Sequence, residues 1–438
     1  MHVKQNLFQS VALLALGLLF SLQALAAVKI EHWQTVSGAE VYFVENRDLP
    51  IIDISVSFAA GSARDKAAKA GLAEITNHMM TAGAAGMSEE EISRRMADIG
   101  AILGNELDLD RAAFKLRTLS NAAEREQALD IYGKVMQQPD FPEAVLQREK
   151  TRIIAGLKES ATKPETISSK TFMKALYGSH PYALDAEPET VDAIQRADLL
   201  RFYQTYYGAG NAVIALIGDM SRSEANAIAE RLSAGLPKSA RASALPAVSL
   251  PDAPNEQRIE HPASQSHIVL GYPGVSRGDA DYFPLYVGNY ILGGGGFVSR
   301  LTEEVREKRG LVYSVYSYFM PMSVPGPFQI GLQTKKEQGE EALKLVRETL
   351  AGFMRDGVSE AELKAAKQNI IGGFPLRLDS NSKILDYLAV IGFYKLPLTY
   401  IDDFNKEVDK VTAAQIKDAF NRRIKQDNMV TVIVGTAQ

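Results

Sequence analysis

Between Val28 and Asp53 apolar and polar residues alternate twice, in Lys29-Ile30-Glu31-His32-Trp33 and in Glu40-Val41-Tyr42-Phe43-Val44. Period two puts neighbouring side chains on opposite faces, so the spacing predicts a hairpin of half-buried strands ahead of a third strand at Ile52-Asp53-Ile54-Ser55-Val56-Ser57-Phe58. The period then changes. In Gly71-Leu72-Ala73-Glu74-Ile75-Thr76-Asn77-His78-Met79-Met80, the residues Leu72, Ile75, Thr76 and Met79 recur at helical spacing as a buried stripe that Gly83 continues. Glu74, Asn77 and His78 stand at i, i+3 and i+4, which sets three polar side chains together on an adjoining face. Ser88 and Glu91 have capping-box spacing and open a helix running to Ile99, where Gly100 stops it. Residues 101–105 and 111–119 alternate again, and helical stretches follow over 122–136 and 142–160. Pro181 fits a helix end near His180, whose role reads as structural. Phe202, Tyr203, Tyr206 and Tyr207 share a further helix, and 213–219 reads as a strand at a sheet edge.

Pro237, Pro246, Pro251 and Pro254 among Ser and Ala make 236–255 an extended linker, dividing the chain into 27–235 and 256–438. The part after the linker repeats the part before it. His267-Ile268-Val269-Leu270-Gly271-Tyr272-Pro273-Gly274 parallels residues 54–61, with Gly274 and Gly61 standing 213 apart. Asn428 to Gly435 parallels Asn211 to Gly218 at an offset of 217, so two copies of one unit of ~200 residues are expected.

Residues 1–26 carry Lys4, an apolar run from Val11 to Leu22 and the ending Ala24-Leu25-Ala26, the pattern of a signal peptide cleaved before Ala27. The run is shorter than the ~20 residues of a span, and no other long apolar run exists, so a periplasmic chain without a membrane span is expected. There is no cysteine among the 438 residues, which excludes disulfides, thiol catalysis and thiolate zinc ligands. The formal charge of -5, with dispersed bases, argues against nucleic acid as a partner.

The triplet on the predicted helix has the spacing of the inverted zinc motif H-x-x-E-H, in which two imidazoles bind zinc and a Glu activates the bound water. Here Glu74 stands for the first His and Asn77 for the Glu, and only His78 remains. With the strand at 52–58, the turn Gly61-Ser62-Ala63-Arg64-Asp65 and the small residues Thr81-Ala82-Gly83, the context resembles the pitrilysin and mitochondrial-processing-peptidase family of inverzincins. By the register of Arg148-Glu149-Lys150-Thr151-Arg152-Ile153-Ile154-Ala155-Gly156-Leu157, the resemblance sets Glu149 near the site and puts the family's third ligand at Gly156. No zinc is therefore expected in this chain.

Leu292-Gly293-Gly294-Gly295-Gly296-Phe297 lacks both the Walker ending and the dinucleotide spacing, and reads as a tight helical bend or a substrate-side loop. Arg306 falls in the last turn of a helix that stops at Gly310, and Tyr313 lies early in the strand after it. A guanidinium and a phenol at such a junction can donate to a peptide carbonyl and to the oxyanion formed from it. The spacing resembles the family's Arg/Tyr pair, which completes the active site from the half opposite the zinc. The resemblance implies an α+β fold of two homologous domains, each an antiparallel sheet covered by helices. It also implies a non-catalytic subunit, bound to a homologous subunit that supplies zinc, acting on peptides or unfolded protein. A peptide-binding or scaffolding protein without a part in proteolysis is the alternative.

Overall fold

The computed structural model describes residues 28–435, so the leader expected over 1–26 lies outside the described residues. The alternating segments form β1 (Glu31–Gln34), β2 (Glu40–Glu45), β3 (Ile51–Phe58), β4 (Ile102–Leu107), β5 (Ala112–Leu119) and β6 (Ala212–Gly218), in the sheet order β1-β2-β6-β3-β5-β4. The second half forms β7 (Asn255–Ile259), β8 (Gln265–Pro273), β9 (Val312–Phe319), β10 (Pro327–Lys335) and β11 (Val430–Val434), in the order β9-β10-β8-β11-β7. From β2 onward the first order is the second one again, strand for strand. The expected antiparallel arrangement holds except for one parallel pair per sheet, β2 with β6 and β7 with β11, at equivalent places.

Register corrects one repeat offset. Ile54 pairs with Leu216 and Ile268 with Ile433, while Gly218 and Gly435 close β6 and β11 with φ of 141° and 84°. Leu216 and Ile433 keep the offset of 217, so Ile54 is equivalent to Ile268 and that offset is 214, not 213. Ile268, Val269 and Leu270 are all apolar, so alternation cannot fix which residue faces which layer. A second correction concerns β6, expected at an edge. It lies between β2 and β3 and is buried along its whole length.

The helices explain that burial. After β3 come α1 (Leu72–Met80) and α2 (Glu89–Asp98); between β5 and β6 run α3 (Ala122–Gln137), α4 (Glu143–Ser160), α5 (Pro164–Tyr177), α6 (Pro188–Asp192) and α7 (Arg196–Tyr206), and α8 (Arg222–Ala234) follows β6. The second half carries α9 (Tyr282–Asn289) after β8, then α10 (Gly339–Asp356), α11 (Glu360–Gly373), α12 (Asn381–Tyr394), α13 (Tyr400–Lys410) and α14 (Ala413–Arg423) between β10 and β11. Ser88 caps α2 by accepting from the Glu91 N–H, while the Glu91 carboxylate pairs with Arg95, so only one arm of the predicted capping box forms.

Each half lends a helix to the other's sheet. Phe172 and Leu176 of α5 pack with Val269 of β8 and with Val430, Val432 and Val434 of β11. Ile384, Leu385 and Leu388 of α12 pack with Tyr42, Val213, Ala215 and Ile217 of the first sheet. A strand covered on both faces reads as a continuous apolar run, which is why Ala212–Gly218 shows no alternation. Glycine permits both contacts: a Cβ on Gly271 would stand 2.7 Å from Phe172 Cζ, and one on Gly392 would stand 2.5 Å from Val213 Cγ1.

One polar cluster ties the halves together and a second ties the first half to the connecting segment. Asp110, buried at the β4–β5 turn, accepts from the hydroxyls of Tyr182 at 2.5 Å and Tyr394 at 2.9 Å and from the Ser323 N–H at 2.8 Å. His180 donates from Nε2 to the Pro246 carbonyl of the connecting segment at 3.0 Å and accepts at Nδ1 from the Tyr182 N–H at 3.1 Å. Burial holds the His180 imidazole below its usual pKa, which suits a neutral structural ring. The segment drawn as a linker ends one residue early, since Asn255 already opens β7.

Candidate functional site

Helix α1 begins at Gly71, whose φ of 97° is the left-handed conformation that glycine tolerates. The buried Asp65 carboxylate accepts from the N–H groups of Gly71 at 2.7 Å and Ala73 at 2.8 Å, satisfying two of the helix's orphan donors. Burial outweighs these bonds and pushes the Asp65 pKa up to about 7.

The three polar residues expected on one face have different surroundings. Glu74 is exposed, His78 half-buried, and Asn77 only 3% exposed. Asn77 Oδ1 accepts from Asn105 Nδ2 of β4 at 2.7 Å, so the amide is tied to the neighbouring strand. His78 Nε2 lies 3.3 Å from Glu149 Oε2 on α4, at ion-pair distance without an aligned hydrogen bond. Arg152 Nε at 2.7 Å and Arg148 Nε at 3.0 Å also hold the buried Glu149 carboxylate. Burial by itself would raise the Glu149 pKa; the two guanidiniums and His78 outweigh it and bring it below the usual range. Gly156, two turns along α4, is exposed, and no atom lies within 4 Å of where its Cβ would be.

These residues do not fit a zinc ion. A zinc site needs three or four good donors, and here there is one imidazole, facing a carboxylate already claimed by two arginines, an amide bound to Asn105, and a glycine. Among the described residues no group of three or more His, Asp or Glu converges to hold a metal. Asn105 escapes a reading of the sequence because its partner, Asn77, lies on another element, whereas the i, i+3 spacing of Glu149 and Arg152 on α4 is a signal the sequence carries.

In the second half, α9 continues into a π-type turn at Tyr290–Gly294 and reaches a second one at Thr302–Glu307. Two of the four glycines, Gly293 and Gly295, are required by close packing against backbone, and Gly294 faces the end of the Asn289 side chain. A Cβ would stand 2.4 Å from Ser317 Oγ at Gly293, 2.7 Å from Asn289 Nδ2 at Gly294 and 2.7 Å from the Tyr290 carbonyl oxygen at Gly295. Gly296 has open space and a φ of 62°. The bend presents Phe297 and Val298 to solvent, and the Arg306 guanidinium stacks over the Phe297 ring, 4.8 Å from its centroid. Gly310, with φ of 61°, ends the helical turn. Tyr313 follows at an irregularity in pairing between Val312 and Ser314 of β9, which is an edge strand, and its side chain is 75% exposed. Among the described residues no hydrogen bond joins Tyr313 to Arg306, whose nearest acid is Glu307 at 3.5 Å.

Two like-ordered sheets, a helix exchanged in each direction and a first-half metal position without its donors define a metallopeptidase-like chain with a degenerate metal site. It belongs to the peptidase M16 family: the description Insulinase (Peptidase family M16) matches residues 41–187, and Peptidase M16 inactive domain matches 193–370. A crystal structure described as a peptidase M16 inactive domain from Pseudomonas fluorescens is 42% identical, with a TM-score of 0.90, over 94% of this chain and 98% of that one. The Helicobacter pylori protein called "Non-peptidase homolog YmxG" is 24% identical over 96% of this chain and 97% of its own length. The Bacillus subtilis "Uncharacterized zinc protease YmxG" is 27% identical over 81% of this chain and 86% of its own.

Proposed function

We propose that this chain is the non-catalytic subunit of a periplasmic, heteromeric zinc metalloendopeptidase. A homologous partner subunit supplies the zinc, and this chain offers Arg306 and Tyr313 to a peptide or unfolded protein substrate, with Gly293, Gly294, Gly295 and Gly296 shaping the adjoining loop. The observation that carries the reading is the contrast between the halves. In the first half Asn77 is bound to Asn105 and Glu149 to two arginines, whereas Tyr313 stands exposed on an edge strand with no hydrogen-bond partner among the described residues. An edge strand has backbone donors and acceptors free to pair with an extended peptide, and a nearby phenol can donate to its carbonyl or to the oxyanion that forms when water attacks.

The test is to purify the tagged chain from its native host under mild conditions and to identify co-eluting proteins by mass spectrometry. A partner of similar length carrying H-x-x-E-H at equal stoichiometry is the expected result. Elution alone, or with copies of itself, would favour a peptide-binding or scaffolding role without proteolysis. The stacking of Arg306 on Phe297, away from any bond to Tyr313, is the observation on that side.

A further inference from the structure

A hollow of about 260 Å³ opens beside the start of α1, where the turn carrying Arg64, Lys66 and Lys69 meets α7. Its lining holds four bases, Arg64, Lys66, Lys69 and Arg201, against one acid, Asp198, a formal excess of three positive charges in a chain whose net charge is -5. Asp198 is fully engaged. It accepts from Lys69 Nζ at 2.7 Å, from Arg201 and from the Gln195 N–H at 2.9 Å, and Lys69 also donates to the Ala193 carbonyl. Arg64 and Lys66 are left over. Among the described residues no side-chain hydrogen bond or ion pair involves either, and the Arg64 guanidinium lies over the Tyr206 ring, 5.9 Å from its centroid. Arg64 is half-buried, and burial holds its pKa below the ordinary guanidinium value; Tyr206, the Asp110 carboxylate and Tyr182 offset only part of that cost, and none of them bonds to the guanidinium.

We propose that this hollow binds a phosphate-class anion, either a soluble phosphate monoester or the headgroup of an anionic phospholipid. The planar fork of Arg64 can take two phosphate oxygens side by side, and Lys66 adds a mobile point charge at the rim. Tyr206 and Phe202 provide an apolar wall for a short organic stem. A phosphate monoester, carrying nearly two negative charges, neutralises the excess more completely than a carboxylate does. The site lies on the first half, apart from Arg306 and Tyr313, and does not depend on the role assigned to them.

The experiment titrates the full chain with glycerol 3-phosphate in a calorimeter at low and at physiological salt. It also sediments the chain with vesicles of phosphatidylcholine alone and with phosphatidylglycerol added. The thermal midpoint without ligand controls for folding. Saturable binding that weakens with salt and falls about tenfold in Arg64→Gln, one charge-assisted contact's worth, is the expected result. Binding of glycerol 3-phosphate alone identifies a soluble ester, and binding only to vesicles with phosphatidylglycerol identifies a headgroup. Exposed Lys66→Gln carries the same test should Arg64→Gln lower the midpoint. Binding of neither probe, or binding unchanged in both variants, overturns the proposal.

Discussion

Phe172 belongs by sequence to the first half and by packing to the second, so its removal should damage strands almost a hundred residues or more away. The side chain is 1% exposed and its ring lies against Gly271 of β8, with β11 beside it. Phe172→Ala loses the transfer energy of a buried ring and leaves a cavity, together about 3–5 kcal/mol. The upper part of that range applies here, because Gly271 has no side chain to relax into the space. Against a total stability of about 5–15 kcal/mol this is a large fraction. Urea denaturation would give the magnitude, and hydrogen exchange read by mass spectrometry would give the place. Protection should fall first in 265–273 and 430–434, ahead of 51–58. The mirror experiment is Leu388→Ala on α12, fully buried against the first sheet, with an expected cost of about 2–5 kcal/mol and the first loss of protection in 212–218. Opening confined to the half that carries each substitution would refute the exchange as a source of stability. So would a cost below about 1 kcal/mol, the scale of an ordinary surface change.

Three further outcomes are expected. Reconstituted with a zinc-bearing partner, Tyr313→Phe should lower kcat by roughly 10²–10³, the usual loss for one oxyanion donor, and unchanged turnover would remove Tyr313 from the chemistry. Elemental analysis should find no stoichiometric zinc in the wild-type chain but should find it in the triple variant Glu74→His, Asn77→Glu, Gly156→Glu, since a side chain at Gly156 meets open space; zinc in the wild type would contradict the donor count. Asp65, with its pKa pushed up to about 7, keeps its proton in the folded state over a range where the unfolded carboxyl has lost it, so its contribution is complete below about pH 4 and gone by about pH 7. Wild type should accordingly lose stability relative to Asp65→Asn across that range, by up to about 4 kcal/mol, and a flat difference in denaturation midpoints would refute the assignment.

What the sequence discloses here follows the range of the interactions involved. The hairpin at 31–45, the helices at 122–137 and 143–160, and the stop at Gly100 rest on neighbours a few positions apart, and all are present where the pattern sets them. The setting of β6 depends on α12, some 170 residues later in the chain, so nothing near Ala212–Gly218 could mark it as central except its lack of alternation. That lack was the available signal. Helical geometry alone gives the direction of Asn77 on the polar face of α1 but not the strand it meets. The Asn77–Asn105 bond and the Asp110 cluster each join segments that no spacing rule connects.

The same observations explain how α1 stays in place without a metal to hold it. In a zinc site the ion would neutralise the carboxylates and fix the helix against α4. Here Glu149 obtains its positive charge from Arg148 and Arg152, Asn77 reaches across to β4, and Asp65 secures the helix start. Every one of these contacts is made by protein groups, and Ile75, Met79 and Met80 are buried in the core alongside. Position and stability of α1 should thus be independent of divalent metal. Prolonged treatment with a strong chelator should leave the thermal midpoint where it was, whereas a fall of several degrees would mean that a bound ion still contributes to the fold, since ligand binding to the native state alone raises its stability.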